Sequence, residues 1–111
     1  MSTHSEALRL AIRLRPQALT YAMRALAVAV ARQSAAQSVQ EAAGRDLIER
    51  RELATRSVSD SAVDEFAAWL PAGKRALDEA AHRLARETSA AAATRAALRL
   101  ARSALSDCQA G

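Results

Sequence analysis

The chain is poor in residues that turn, stack or cross-link. Its 111 residues include 2 Pro, 3 Gly, 1 Cys, 1 Trp, 1 Tyr and 1 Phe. With so little Pro and Gly, few tight turns are available. The single cysteine, Cys108, excludes an intrachain disulfide and a cysteine-based metal cluster. One free thiol fits a cytoplasmic compartment. Long apolar runs are also missing. The longest, ALAVAVA from Ala25 to Ala31, is closed off by Arg24 and Arg32. It falls far short of the ~20 residues that a membrane span needs, so no stable insertion is expected. The opening MSTHSEALRLAIRLRP lacks the continuous apolar core of a secretory signal.

Bulk is scarce as well. Thirty residues are Ala, against 26 drawn from Leu, Ile, Val, Met, Phe, Trp, Tyr and Cys. A compact core gains about 1.5–3 kcal/mol for each large side chain fully buried, and Ala contributes little of that. An Ala-, Leu-, Arg- and Glu-rich chain has the profile of a long helix or coiled coil. The expectation is an all-α, thin object.

What is present is a seven-residue repeat. Val63, Leu70, Leu77, Leu84, Ala91, Leu98 and Leu105 are spaced by seven without a slip. Three residues after each come Phe66, Gly73, Ala80, Glu87, Thr94, Ala101 and Cys108. A straight helix drifts by about 20° per heptad against such a repeat, so a repeat held this long implies supercoiling around a partner helix. The first half is less regular. Leu19, Leu26, Gln33, Gln40 and Leu47 share the spacing, with Ala22, Ala29, Ala36 and Ala43 three behind. Val28, Ala35, Val39 and Ala42 outline a second face, which suggests a change of register near Ser34.

Between the halves, ATRSVSDSA offers cap and turn residues. Ser61 with Asp64 resembles a capping box with a shorter acid. These signals predict one antiparallel coiled-coil hairpin over 1–111: helix 1 at about 17–55, a turn at about 56–60 and helix 2 at about 61–108. Pro16 is expected to open helix 1. Pro71 is expected to kink helix 2, or to divide it into a short piece ending at Trp69 and a longer one.

Charge is uneven. Residues 1–40 carry +4, residues 41–87 carry −2 and residues 88–111 carry +2. A hairpin therefore gathers basic charge at its open end and leaves the loop half mildly acidic. His4 and His82 form no catalytic set, and no phosphate loop, paired carboxylates or metal ligands stand out. No catalytic, cofactor-binding or metal-binding residue is expected, and the chain reads as a non-enzyme. Nucleic acid is not the expected partner despite the basic balance, because Arg is scattered and aromatics are scarce at the basic end.

Phe66 and Trp69 stand together in DEFAAWLPAGKRALDEAAHRL. Phe66 falls on the seam. Trp69 lies one position before it and reads as a partner anchor. This stretch resembles the FliJ/YscO-type stalk proteins of flagellar and injectisome type III secretion. Phe66 and Leu70 match that family's pattern, Gly73 replaces its Ala and Leu77 replaces its His. Injectisome relatives carry a Trp here, as Trp69 does.

The resemblance implies a coiled-coil stalk between a hexameric secretion ATPase and the export gate, at the inner face of the cytoplasmic membrane. Phe66, Trp69, Leu70, Gly73 and Leu77 would face the gate. Arg9, Arg13, Arg15, Arg24, Arg99 and Arg102 would face the ATPase. Alternatives are an Ala-rich surface-binding protein of the phasin kind, or a secretion chaperone with a helical partner. A homodimer also stays open, because the second seam could pair within a chain or between chains.

Overall fold

The structure is a computed structural model that describes residues 2–57 and 59–110, except for the side chains of residues 2–4, 7, 8, 10–15, 108 and 110. Cys108 as a seam position therefore lies outside the described side chains. Two helices form an antiparallel hairpin: α1 over Ser2–Arg56 and α2 over Asp60–Ala110. No strand occurs among the described residues.

The turn is short and held by serines. Ser57 N donates to Leu53 O at 3.0 Å, closing the last turn of α1. Ser59 then caps α2: its hydroxyl accepts from Ser61 N at 3.2 Å, and its carbonyl accepts from Ala62 N at 3.2 Å. The cap is thus Ser59, not the Ser61–Asp64 box suggested by the sequence. Asp60 follows in the first turn of α2, where a negative charge suits the helix N-terminus. Ser61, already inside the helix, instead sets its hydroxyl 3.5 Å from Glu65 Oε1.

Neither proline ends a helix. α1 starts at Ser2 rather than near residue 17 and runs through Pro16. Proline costs about 3 kcal/mol in a helix interior, and the strong formers Ala, Leu and Arg on both sides offset it. The Thr20 hydroxyl donates to Pro16 O at 3.0 Å. α2 likewise runs unbroken through Pro71, so no separate short helix ends at Trp69. Pro71 removes one rung of the hydrogen-bond ladder without stopping the helix.

Packing divides the chain into two compact units. Unit one joins Met1–Ala31 to Ser89–Gly111, and unit two is Arg32–Thr88. Each unit takes one segment from each helix. In unit two, Gln33 Nε2 donates to Thr88 Oγ1 at 3.3 Å, and the Arg50 guanidinium lies 4.4 Å from the centre of the Trp69 ring. These two contacts fix the antiparallel register.

Burial follows the heptads. In unit two, Ala36, Ala54, Gly73 and Ala80 are buried, while Leu47, Phe66, Leu70, Leu77 and Leu84 are half-buried. In unit one, Ala29, Ala91 and Leu98 are buried, while Leu19, Leu26, Thr94, Ala101 and Leu105 are half-buried. In unit two the register fixed by Gln33–Thr88 and Arg50–Trp69 brings Ala36 level with Leu84, Ala54 with Phe66 and Leu47 with Gly73. A small residue set against a large one lets the helix backbones approach while the facing side chain fills the gap. This pairing accounts for the many alanines at seam positions.

The register does not change near Ser34. Gln33, Ala36, Gln40 and Ala43 continue the seam, while Val28, Ala35, Val39 and Ala42 are exposed. Because α2 holds its heptad throughout, α1 must hold its own to stay in contact. Val63, the first position of the predicted second seam, is 49% exposed. Its facing position lies beyond Arg56, where α1 has ended.

Candidate interaction surfaces

Near the turn, unit two builds a cluster around the lone tryptophan. Phe66 and Trp69 have ring centroids 6.1 Å apart and planes tilted by 32°. Across the seam, Asp46 Oδ1 accepts from Arg50 Nε at 3.1 Å and steadies the guanidinium that covers the indole. A cation over an aromatic face contributes about 0.5–1 kcal/mol at an exposed site. An exposed ion pair four residues apart adds about 0.3–0.5 kcal/mol. Gly73 completes the arrangement: a Cβ there would collide with the indole, coming within 2.6 Å of Cζ3 and 2.7 Å of Cζ2. The absence of a side chain at residue 73 lets the Trp69 ring lie along its own helix. Beside this cluster a shallow recess is lined by Arg50, Leu53, Ala54, Ala62, Glu65 and Phe66. Leu53, at 66% exposed, is its most open apolar wall.

The five residues singled out on the gate side therefore sit at the helix–helix seam. Phe66, Trp69, Leu70 and Leu77 are half-buried and Gly73 is buried. Their spacing of three, four and seven is that of the seam itself. Trp69 has intramolecular partners on three sides, so its outward share is only the uncovered edge of a built cluster. Arg50, Asp46 and Leu53 were not singled out from the sequence. The spacing of four between Asp46 and Arg50, and between Trp69 and Gly73, was the available signal.

Of the basic set, Arg9, Arg24, Arg99 and Arg102 are exposed and all belong to unit one. The side chains of Arg13 and Arg15 lie outside the described residues. Unit one carries seven Arg against Glu6 and Asp107, for +5, whereas unit two carries nine basic and ten acidic residues, for −1. Among the described residues, the exposed ion pairs Asp46–Arg50 and Glu52–Arg56 both fall in unit two.

Among the described residues, no group of three or more His, Cys, Asp or Glu is placed to hold a metal ion. No described helix is long and apolar enough to cross a membrane. No family model matches the chain, and comparison with curated proteins and with solved structures finds no match.

Proposed function

We propose that the chain is a non-enzymatic helical hairpin whose two units engage different partners, as a stalk of a type III secretion apparatus does. The carrying observation is the sorting of charge onto one scaffold: +5 in unit one and −1 in unit two. A basic unit suits an acidic docking surface, here that of a hexameric secretion ATPase. The near-neutral unit presents the Phe66–Trp69–Arg50 cluster and the open side chain of Leu53 to an export-gate protein. The resemblance around Phe66 and Leu70 supports the same assignment, as does a location at the inner face of the cytoplasmic membrane. Chemistry is left to the ATPase.

The test is co-purification with the hexameric ATPase, together with ATP turnover with and without the chain. Binding that weakens as salt rises, and that is lost on replacing Arg24, Arg99 and Arg102 with Glu, is the expected result. No binding at low salt and no change in turnover would remove the stalk reading.

A further inference from the structure

Unit one carries charge of a single sign over most of its length. Residues 7–31 and 89–106 contain seven Arg and no Asp or Glu, so Glu6 and Asp107 lie only at the margins. Within that zone α1 turns a mixed stripe away from its seam. Leu19, Ala22, Leu26 and Ala29 are shielded, whereas Gln17, Tyr21, Arg24 and Val28 are exposed. At 3.6 residues per turn those four fall about 120–180° round the helix from the middle of the shielded set. Tyr21 is 77% exposed and Val28 51%. A shallow recess beside them is lined by Pro16, Gln17, Thr20, Tyr21 and Arg24. In the sequence Leu10 and Leu14 keep the same spacing, seven residues before Gln17 and Tyr21, and their side chains lie outside the described residues.

We propose that this stripe is a membrane-surface site, through which α1 of unit one lies along an anionic phospholipid bilayer without crossing it. Two features together select the occupant. Arginine with no carboxylate around it is complementary to a leaflet of phosphate headgroups, which attracts each basic side chain near its surface. Apolar side chains set between basic ones gain from the headgroup–acyl boundary, where a basic amphipathic helix buries its apolar residues. Tyr21 suits that depth, since its ring is apolar and its hydroxyl polar. In the recess, the Arg24 guanidinium, the Gln17 amide and the Tyr21 hydroxyl supply donors for headgroup phosphates. A nucleic-acid backbone would engage Arg24 but leave Val28 in water. An acidic protein would gain from a shaped contact, and this stripe is the convex face of one helix, to which a fluid leaflet conforms. The proposal is independent of the secretion reading. Of the arginines varied there it uses only Arg24, because Arg99 and Arg102 lie on α2.

Co-sedimentation with lipid vesicles tests it, with far-ultraviolet circular dichroism to confirm helicity. The wild-type chain is expected to bind vesicles of phosphatidylglycerol mixed with phosphatidylcholine, less tightly as salt rises, and to bind phosphatidylcholine alone only weakly. Tyr21→Ser combined with Val28→Ser keeps the charge and should weaken binding by about tenfold or more. Arg24→Gln should weaken it by about fivefold. Ile48→Ser removes a 57% exposed apolar side chain from unit two and should leave binding within about twofold. No binding to the anionic vesicles would overturn the proposal. So would unchanged binding by the double variant, which would leave a charge effect alone. Displacement by inorganic phosphate beyond that by chloride at equal ionic strength would assign the recess to a free anion and also overturn it. Binding to polyglutamate as tight as to the vesicles would do the same in favour of an acidic protein. The ATPase assay contains no lipid and reads Arg99 and Arg102, so the two readings fail separately.

Discussion

Units one and two use the same seam and cover it differently. In both, the shielded residues follow the seven-residue spacing. Unit two surrounds that seam with ion pairs, a cation–aromatic contact and nearly balanced charge. Unit one surrounds it with the exposed arginines Arg24, Arg95, Arg99 and Arg102 and with the exposed apolar side chains of Tyr21, Met23, Val28, Val30 and Leu100. Unit two thus nearly balances its charge, whereas unit one carries a net +5 around the same kind of seam. A shared backbone pattern can therefore carry two binding characters, because the seam positions fix the pairing while the flanking positions remain free to vary.

Substitutions at matched positions sharpen this contrast. The largest effect is expected at Leu98, the one large side chain buried in unit one among the described residues. Leu98→Ala should cost about 2–3 kcal/mol by urea denaturation. The half-buried Leu77 of unit two should lose clearly less on the same change. Equal losses would mean that the two seams are packed alike. Next comes overpacking. Ala36 and Ala91 are both 0% exposed, so Ala36→Leu or Ala91→Leu should force the helices apart at about 1–3 kcal/mol. Ala35→Leu, one residue away and exposed, should stay within about 0.5 kcal/mol of the wild type. A smaller effect is expected at the polar layer of unit two. There Gln33 and Glu87 occupy seam positions, and polar seam residues trade stability for register. Replacing both with Leu should raise the urea midpoint, and an unchanged or lower midpoint would show that the polar pair is not a weak layer.

The smallest effect on stability accompanies the clearest optical signal. Gly73→Ala gains up to ~1 kcal/mol of helix propensity but forces the indole off the helix and out from under Arg50. Because Trp69 is the sole tryptophan, its emission should move to longer wavelength while stability changes little. An unshifted spectrum would contradict the packing of the indole on Gly73.

Much of the hairpin was legible in the sequence, since period and burial have one cause. Leu70 to Leu105 on α2 and Leu19 to Leu47 on α1 follow the seven-residue spacing, and each is shielded along the seam. The helix ends were less legible. Pro16 suggested a start that the helix-forming residues around it override, and Ser61 looked as good a cap as Ser59. Val63 kept the spacing but outran its partner, because a heptad on one helix does not report where the other stops. Val28, Ala35, Val39 and Ala42 formed a real stripe, but periodicity alone could not say that the stripe faces outward. Trp69 was conspicuous as a residue, yet its environment depends on Arg50 across the seam, a contact that no local pattern encodes.

The most direct test of the antiparallel register is a cross-link between Gln33→Cys and Thr88→Cys, with Cys108→Ser to remove the native thiol. A short bismaleimide should join the two within single chains, at a yield that does not change on dilution. Products that form only between chains, or a yield that falls with concentration, would contradict the pairing of α1 with α2 in one polypeptide.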